Sequence, residues 1–139
     1  MLVRQCMQKN VITCLPSATI QEVARKMAEQ HIGSVLLVDE AGKLKGILTD
    51  RDIALAVAAD CRDPQATCAA DIMTQDPLFT EIDADLDSAL RLMNRAHTRR
   101  LPVTDRGRLV GIISSSDVAG AMKEQFDQFL GLEETYVRQ

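Results

Sequence analysis

Two stretches of the chain carry apolar residues at the i, i+3, i+4, i+7 spacing of a helix that buries one face. The apolar positions are Ile20, Val23, Ala24 and Met27 in the first stretch, and Leu86, Ala89, Leu90 and Met93 in the second. Side chains that can cap a helix precede both stretches, namely Ser17 or Thr19 and Asp83 or Asp85. The pattern predicts two amphipathic helices.

A β-hairpin is predicted after each helix, because two short apolar runs follow there with a glycine-containing turn between them. These runs cover residues 35–38 and 44–48 in the first half of the chain, and residues 101–104 and 109–113 in the second. Since Pro102 has no N–H to donate to a neighbouring strand, we expect its strand to lie at the edge of a sheet.

Two further elements complete each half of the chain. A short apolar run precedes the first helix, at residues 11–13 and 78–80, and a second helix follows the hairpin, at about residues 50–59 and from residue 115 onward. The predicted unit is β-α-β-β-α. The fold class is therefore α/β, with the same unit present twice.

The two units align in sequence over most of their length. Met7 aligns with Met73, His31 with His97, Asp39 with Asp105, and, after one deletion, Gly46 with Gly111 and Asp52 with Asp117. We predict a first repeat at residues 1–66 and a second at 67–139, the second with an extended C-terminal helix. A unit of this size buries too little apolar surface alone, so the two repeats should pack face to face.

Composition narrows the classes of function. The formal net charge of −4 argues against nucleic-acid binding, and the aromatic share of 3% argues against stacking on bases. We expect no membrane span, and a cytoplasmic location, because the sequence shows neither a long apolar run nor a signal-peptide pattern. The chain is predicted to be a globular cytoplasmic protein.

The sequence contains no recognisable catalytic or metal-binding pattern. The four cysteines lack C-x-x-C spacing and are expected to be reduced, and two histidines, one in each repeat, do not suggest a metal site. Neither a nucleophile elbow nor a phosphate-binding loop is present in the sequence. We expect a protein that is not an enzyme and that requires no cofactor.

The last helix carries more apolar residues than its own repeat needs. Val118, Ala121, Met122, Phe126 and Phe129 continue at helical spacing. The excess could meet a second copy of the chain, so we predict a homodimer with the helices that begin at residues 50 and 115 near the interface. Residues 131–139 are polar and are expected to be loose.

The same short motif ends the hairpin of each repeat. A glycine and two apolar residues are followed by a hydroxyl residue and, three positions later, an aspartate: Thr49 with Asp52, and Ser114 with Asp117. The carboxylate could accept hydrogen bonds from the hydroxyls of a ribose, with the glycine making room for the ligand. It could equally cap the helix that follows.

These motifs resemble those of paired CBS domains, also called a Bateman module. The resemblance rests on DIMT at residues 71–74, GILTDRD at 46–52 and GIISSSD at 111–117, and it extends over nearly the whole chain. It implies that the two repeats pack with pseudo-twofold symmetry into a disc with two equivalent clefts. It also implies adenosine-containing ligands and a regulatory role toward another protein.

The resemblance implies a set of site residues in each cleft. A basic residue ahead of the second strand often faces phosphate in this family, which points to Arg99 and Arg100 in the second repeat. The predicted ligand contacts are Thr49, Asp52, Arg51, Ile12, Thr13 and Val35 in the first cleft, and Ser114, Asp117, Arg99, Arg100, Phe79, Leu78 and Val103 in the second. The cleft of Ser114 and Asp117 should then take the more anionic ligand.

The predicted function is a regulatory module without further domains that senses AMP, ADP, ATP, NAD or S-adenosylmethionine and signals to an unidentified protein. The alternative is a dimerisation or protein-docking module whose clefts bind nothing. Arg99 and Arg100 would then be ordinary solvated loop residues, and Phe79 an ordinary core residue.

Overall fold

The computed structural model describes residues 1–137 and contains two small sheets. In both sheets a two-residue strand pairs in parallel with the first strand of an antiparallel hairpin. The first sheet has the order β1 (Thr13–Cys14), β2 (Ser34–Val38), β3 (Leu44–Thr49) and β4 (Thr74–Gln75). The second has the order β5 (Thr80–Glu81), β6 (Arg100–Asp105) and β7 (Arg108–Ser114).

Helices lie before and after each hairpin, which confirms the predicted β-α-β-β-α unit and its repetition. They are α1 (Ile20–Gln30), α2 (Asp50–Ala54), α3 (Ala69–Ile72), α4 (Leu86–Ala96) and α5 (Ser115–Val137). A wider π-helical segment, Leu55–Ala59, extends α2, and a 3₁₀ turn forms at Val3–Gln5. Within residues 1–137 we find no helix with the length and apolar character that crossing a bilayer would require.

The caps of the two amphipathic helices differ. The Thr19 hydroxyl accepts a hydrogen bond of 3.2 Å from the Glu22 N–H, so the predicted cap of α1 is present. Helix α4 begins after Asp85, whose side chain makes no such bond. Asp83 instead forms an ion pair with Arg4 at the surface.

Each repeat has its own hydrophobic core, but the cores exchange segments. Val3 and Cys6, from the first turn of the chain, pack in the core of the second repeat with Leu101 and Ile113. Ala69, from the segment after the first repeat, is fully buried in the first core. Backbone hydrogen bonds also join the N-terminal segment to the second repeat. The N–H groups of Gln8 and Ile112 each donate to the carbonyl of the other, at 2.8 and 2.9 Å.

Gly46 and Gly111 provide the space that this exchange requires. A methyl group on Gly111 would lie 2.7 Å from the Gln8 carbonyl oxygen, and one on Gly46 would lie 2.9 Å from the Thr74 carbonyl oxygen. Both distances are shorter than van der Waals contact. The expectation that these glycines make room for a ligand is therefore corrected: they make room for the crossing backbone.

The prediction for Pro102 is also wrong, because its strand β6 is the central strand of the second sheet. Pro102 faces Ile112, whose N–H and C=O point away toward Gln8, so this strand pair needs no donor from Pro102. On the other side, the two residues of β5 pair only with Val103 and Thr104. Proline is tolerated in this central strand because the neighbouring strand is so short.

The two hairpin turns also contact each other. The Leu109 N–H donates to the Gly42 carbonyl at 2.9 Å, and the Leu44 N–H donates to the Gly107 carbonyl at 3.3 Å. The Arg108 Nε–H adds a bond of 2.9 Å to the Ala41 carbonyl. The repeats are thus joined through equivalent positions.

The final helix is longer than the sequence pattern suggested. Helix α5 continues to Val137, so the expectation of a loose segment from residue 131 is wrong for residues 131–137. Leu132, Glu133 and Glu134 are good helix formers, which explains why the helix does not end at Gly131. Arg138 and Gln139 lie outside the described residues.

Candidate ligand-binding groove between the repeats

A cleft of about 410 Å³ lies where the two hairpins face each other. It is lined by apolar side chains of strands from both repeats, and also by polar and basic side chains. The lining residues are Asn10, Val11, Ile12, Ile32, Ser34, Leu36, Ile47 and Thr49 from the first repeat, and Thr98, Arg99, Arg100, Pro102 and Ile112 from the second. We call this cleft the central groove.

Strand alternation decides which residues reach the central groove. Side chains that face the groove alternate along β2 and β6 with side chains that face the cores. Val35 and Val103 are 1% and 0% exposed and belong to the two cores, so the expectation that they contact a ligand is corrected. Their neighbours Leu36 and Pro102 line the groove instead.

A smaller pocket of about 260 Å³ shares Asn10, Arg100 and Ile112 with the central groove. Ser114 and Asp117 lie in this pocket, together with Gln8. The predicted clefts are therefore neighbouring parts of one depression that share a wall. Thr49 lies in the larger part and Ser114 in the smaller.

The two arginines do not divide between the clefts as expected. Arg99 lines the central groove beside Thr49, and Arg100 lines both parts of the depression. The second cleft was expected to hold both guanidinium groups. In the structure the larger cleft has both, because the first repeat has only Gly33 and Ser34 at the equivalent positions and leaves the space open.

Both aspartates of the motif form helix caps. The Asp52 carboxylate accepts from the Thr49 N–H at 3.0 Å, and the Thr49 hydroxyl accepts from the Asp52 N–H at 3.1 Å. Ser114 and Asp117 make the same pair of bonds at 3.0 and 3.1 Å. The cap that the sequence offered as an alternative role is thus present in both repeats.

Asp117 has one contact more than a helix cap needs. The Gln8 side-chain amide donates to its second carboxylate oxygen at 3.1 Å. Burial raises the pKa of Asp117, but the hydrogen bonds from Gln8 and Ser114, together with the charge of Arg100, outweigh it and hold this pKa below the usual value. Asp117 therefore stays ionised beside the groove, with Gln8 already bound to its second oxygen.

Apart from the two core valines, five predicted contacts line neither the central groove nor the smaller pocket. The first is Asp52, whose carboxylate caps α2. Thr13 lines a separate pocket of about 480 Å³ with Lys26, and the Arg51 side chain is exposed. Leu78 is half exposed, and Phe79 lines a small pocket of about 150 Å³ beside the hairpin turns. Phe79 is thus not in a position to stack on a purine in the central groove.

Several residues that line the groove were not predicted from the sequence. Ile47 and Ile112 occupy equivalent positions in the two repeats, and each is adjacent to a fully buried residue, Leu48 and Ile113. The alternation of these two residues with buried neighbours could have been predicted from the sequence, once the face of each strand that packs against the core was assigned. The positions of Asn10 and Gln8 depend on the exchanged N-terminal segment, which no local pattern predicts.

Comparison with known proteins identifies the family. A model of the CBS domain matches residues 3–59 and again residues 69–124. The chain belongs to the CBS domain family. The CBS domain-containing protein YhcV of Bacillus subtilis is 39% identical over 117 residues, which is 84% of this chain and 82% of YhcV.

Other relatives differ in length from this CBS chain. The uncharacterized protein MK0525 of Methanopyrus kandleri is 38% identical over 112 residues, which is 80% of this chain but only 57% of MK0525. Among solved structures, the CBS domain pair of protein MJ0100 superposes with a TM-score of 0.74 at 30% identity, covering 90% of this chain and 98% of the other. That crystal structure is a complex with 5′-methylthioadenosine and S-adenosyl-L-methionine.

Proposed function

We propose that this CBS pair is a regulatory module that binds an anionic, adenosine-containing ligand in the central groove and signals to a partner protein. One observation carries the proposal: apolar side chains from both repeats, two arginines and a threonine line the same cleft. The similarity to the MJ0100 pair, a complex with two adenosine compounds, supports the ligand class.

The groove offers suitable chemistry for each part of a nucleotide. Ile12, Leu36 and Ile47 form an apolar slot for a flat purine ring. The Thr49 hydroxyl, which also lines this cleft, can donate a hydrogen bond to a ribose hydroxyl. Arg99 and Arg100 can form charge-assisted hydrogen bonds to phosphate oxygens, which a neutral methylthioadenosine would not use. This favours AMP, ADP, ATP or NAD over the uncharged or cationic adenosyl compounds.

Thermal unfolding with AMP, ADP, ATP, NAD, S-adenosylmethionine and 5′-methylthioadenosine tests the proposal. A ligand at about 100 times its Kd stabilises the folded state by about 2.7 kcal/mol, which is easily measured as a rise in Tm. We expect the phosphorylated compounds to raise Tm more than methylthioadenosine does. Equal shifts for all six compounds would contradict the role given to the arginines.

Two matched variants assign the effect to the groove. Arg100→Ser removes a guanidinium from the groove and installs the residue of the first repeat. Arg51→Ser makes the same chemical change at an exposed position outside the groove, where the second repeat has Ser116. Loss of one charge-assisted contact should raise Kd about tenfold or more for Arg100→Ser, and Arg51→Ser should leave Kd unchanged.

The proposed role is regulatory and not catalytic. The hydroxyls of Thr49 and Ser114 are engaged in helix caps, where they accept hydrogen bonds from the N–H groups of Asp52 and Asp117. Adenine nucleotides are abundant in the cytoplasm, which is where we propose the module works. Phosphorus NMR of the protein with ATP should show no turnover, and hydrolysis lost in Arg100→Ser would overturn this part of the proposal.

A second candidate function is dimerisation or docking without a ligand. The exposed apolar side chains of α5 favour it, because a ligand-binding pair has no need of them. If none of the six compounds changes Tm while the chain still self-associates, this second function replaces the first.

A further inference from the structure

Helix α5 carries an apolar seam that nothing else in the chain covers over its described residues. Only Val118 is buried, and Ala121 is the last residue to pack against the core of the second repeat. The CBS match ends at residue 124, so the seam continues beyond the domain itself. Its large apolar residues are all between 44% and 82% exposed: Met122, Phe126, Phe129, Leu130, Leu132, Tyr136 and Val137.

The spacing of this seam is that of a coiled coil. Ala119, Met122, Phe126, Phe129 and Tyr136 follow the alternating three- and four-residue steps of positions a and d, with Glu133 filling the remaining a position. Leu130, Val137 and Leu132 flank the seam on both sides. The opposite face is polar, with Glu124, Asp127, Gln128, Glu134 and Thr135. Such a face fits another helix of the same kind.

We propose that α5 pairs in an antiparallel arrangement with α5 of a second copy of this chain. Antiparallel pairing sets Phe126 against Phe129 of the other copy, and Ala119 against Tyr136. It also places Glu133 opposite Met122 of the other copy and close to Lys123. In a parallel pair, Glu133 would face its own twin inside the seam, where two like charges repel each other.

The size and charge of the seam agree with this occupant. Half-exposed aromatic rings contribute about 100 Å² each, so the seam offers on the order of 1,000 Å² over two copies, the lower range of a specific interface. Residues 119–137 contain one lysine against four acidic residues, which disfavours an anionic lipid surface. The proposal does not depend on ligand binding in the groove.

The test measures molar mass by light scattering in the full-length chain. Wild type should be a dimer, and Phe126→Asp/Phe129→Asp should be a monomer with unchanged helical circular dichroism, because both rings are exposed in the single chain. Leu55→Asp is the control, since Leu55 is 49% exposed on the helix that follows Asp50. A dimer that resists the double substitution but dissociates with Leu55→Asp would overturn the proposal, as would a monomeric wild type.

Disulfide trapping tests the orientation in a Cys61→Ser background, because Cys61 is exposed. A mixture of Ala119→Cys and Tyr136→Cys chains should form a mixed covalent dimer, and Tyr136→Cys alone should not cross-link. Efficient cross-linking of Tyr136→Cys alone would show a parallel pair. A wild type that is monomeric and co-sediments with phosphatidylserine vesicles would show that the seam binds lipid instead.

Discussion

The two repeats present different chemistry to one shared groove. The first repeat contributes Gly33 and Ser34 ahead of its hairpin, and the second contributes Arg99 and Arg100 at the aligned positions. Conversely, only the aspartate of the second repeat is engaged by a side chain from the exchanged N-terminal segment, namely Gln8. Duplication has therefore preserved the backbone and the helix caps of both repeats, while the side chains at the groove have diverged.

The similarities and differences between the two repeats separate features that serve the fold from features that serve the site. Features present in both copies, such as the Thr49–Asp52 and Ser114–Asp117 caps and the two glycines at the crossing strands, hold the structure together. Features present in one copy are the candidates for function. Substitutions at equivalent positions separate these two groups.

The largest effect is expected from Gly111→Ala. The added methyl group meets the Gln8 carbonyl oxygen, a backbone atom that cannot rotate away, so the variant should lose about 3 kcal/mol of unfolding free energy. Gly46→Ala should cost a comparable amount, because its added methyl group would lie 2.9 Å from the Thr74 carbonyl oxygen and would also meet the Met73 side chain. Urea unfolding measures both, with Gly120→Ala as a control that has no atom within 4 Å of the added methyl. Equal stability of Gly111→Ala and wild type would contradict the observed strand crossing.

Next in size is Val3→Ala, which tests the exchange of segments between the cores. Val3 is fully buried in the core of the second repeat, although it stands at the start of the first. We expect a loss of about 2 kcal/mol, measured by urea unfolding. Leu2→Ala, at a neighbouring exposed position, should change stability little. If Val3→Ala were as stable as Leu2→Ala, the N-terminal segment would not belong to that core.

A smaller effect should distinguish the caps of the two long helices. Thr19→Ala removes a hydrogen bond to the N-terminus of α1 and should cost about 1 kcal/mol. Asp85→Ala removes no such bond from α4 and should cost less. Thermal unfolding of both variants provides the measurement. A larger loss for Asp85→Ala would show that the caps act in the opposite order.

The smallest effect concerns pH and the contact of Gln8 with Asp117. The pKa of Asp117 is lower in the folded chain than in the unfolded chain, so the ionised carboxylate contributes stability above about pH 4, its ordinary range. That contribution disappears as the pH falls through the lowered folded pKa. Gln8→Ala should therefore reduce stability at pH 7 by less than about 1 kcal/mol, because the site is well solvated. The difference from wild type should vanish in strong acid, and a difference that grows in acid would refute this linkage.

Most of the fold could be predicted because the same hydrophobic pattern occurs twice in the sequence. Helical spacing located α1 and α4, and the apolar runs located the hairpins within a few residues. The exchange of Val3 and Ala69 between cores could not be predicted, since it arises from tertiary contacts far apart in the chain. The error at Pro102 has the same origin, because only the shortness of β5 makes a proline acceptable there.

The candidate site was less predictable than the fold. Residue types and the family resemblance together predicted Thr49, Arg99, Arg100 and Ile12 as ligand contacts, and all four line the central groove. Val35 and Val103 were misplaced by one residue, which in a strand reverses the side chain from one face to the other. Phe79 was assigned to the site through the family resemblance, which indicates a position near the first strand of the repeat but not the direction of the side chain.

The reciprocal exchange of N-terminal arms bears on how such a chain could have arisen. A lone ancestral unit would lack the arm that completes its own interior, but two separate copies could each lend an arm to the other. Fusion of two such genes would then convert a symmetric pair into a single polypeptide without altering any contact. It would also free each half to mutate independently, which is the condition for a groove with two unlike walls.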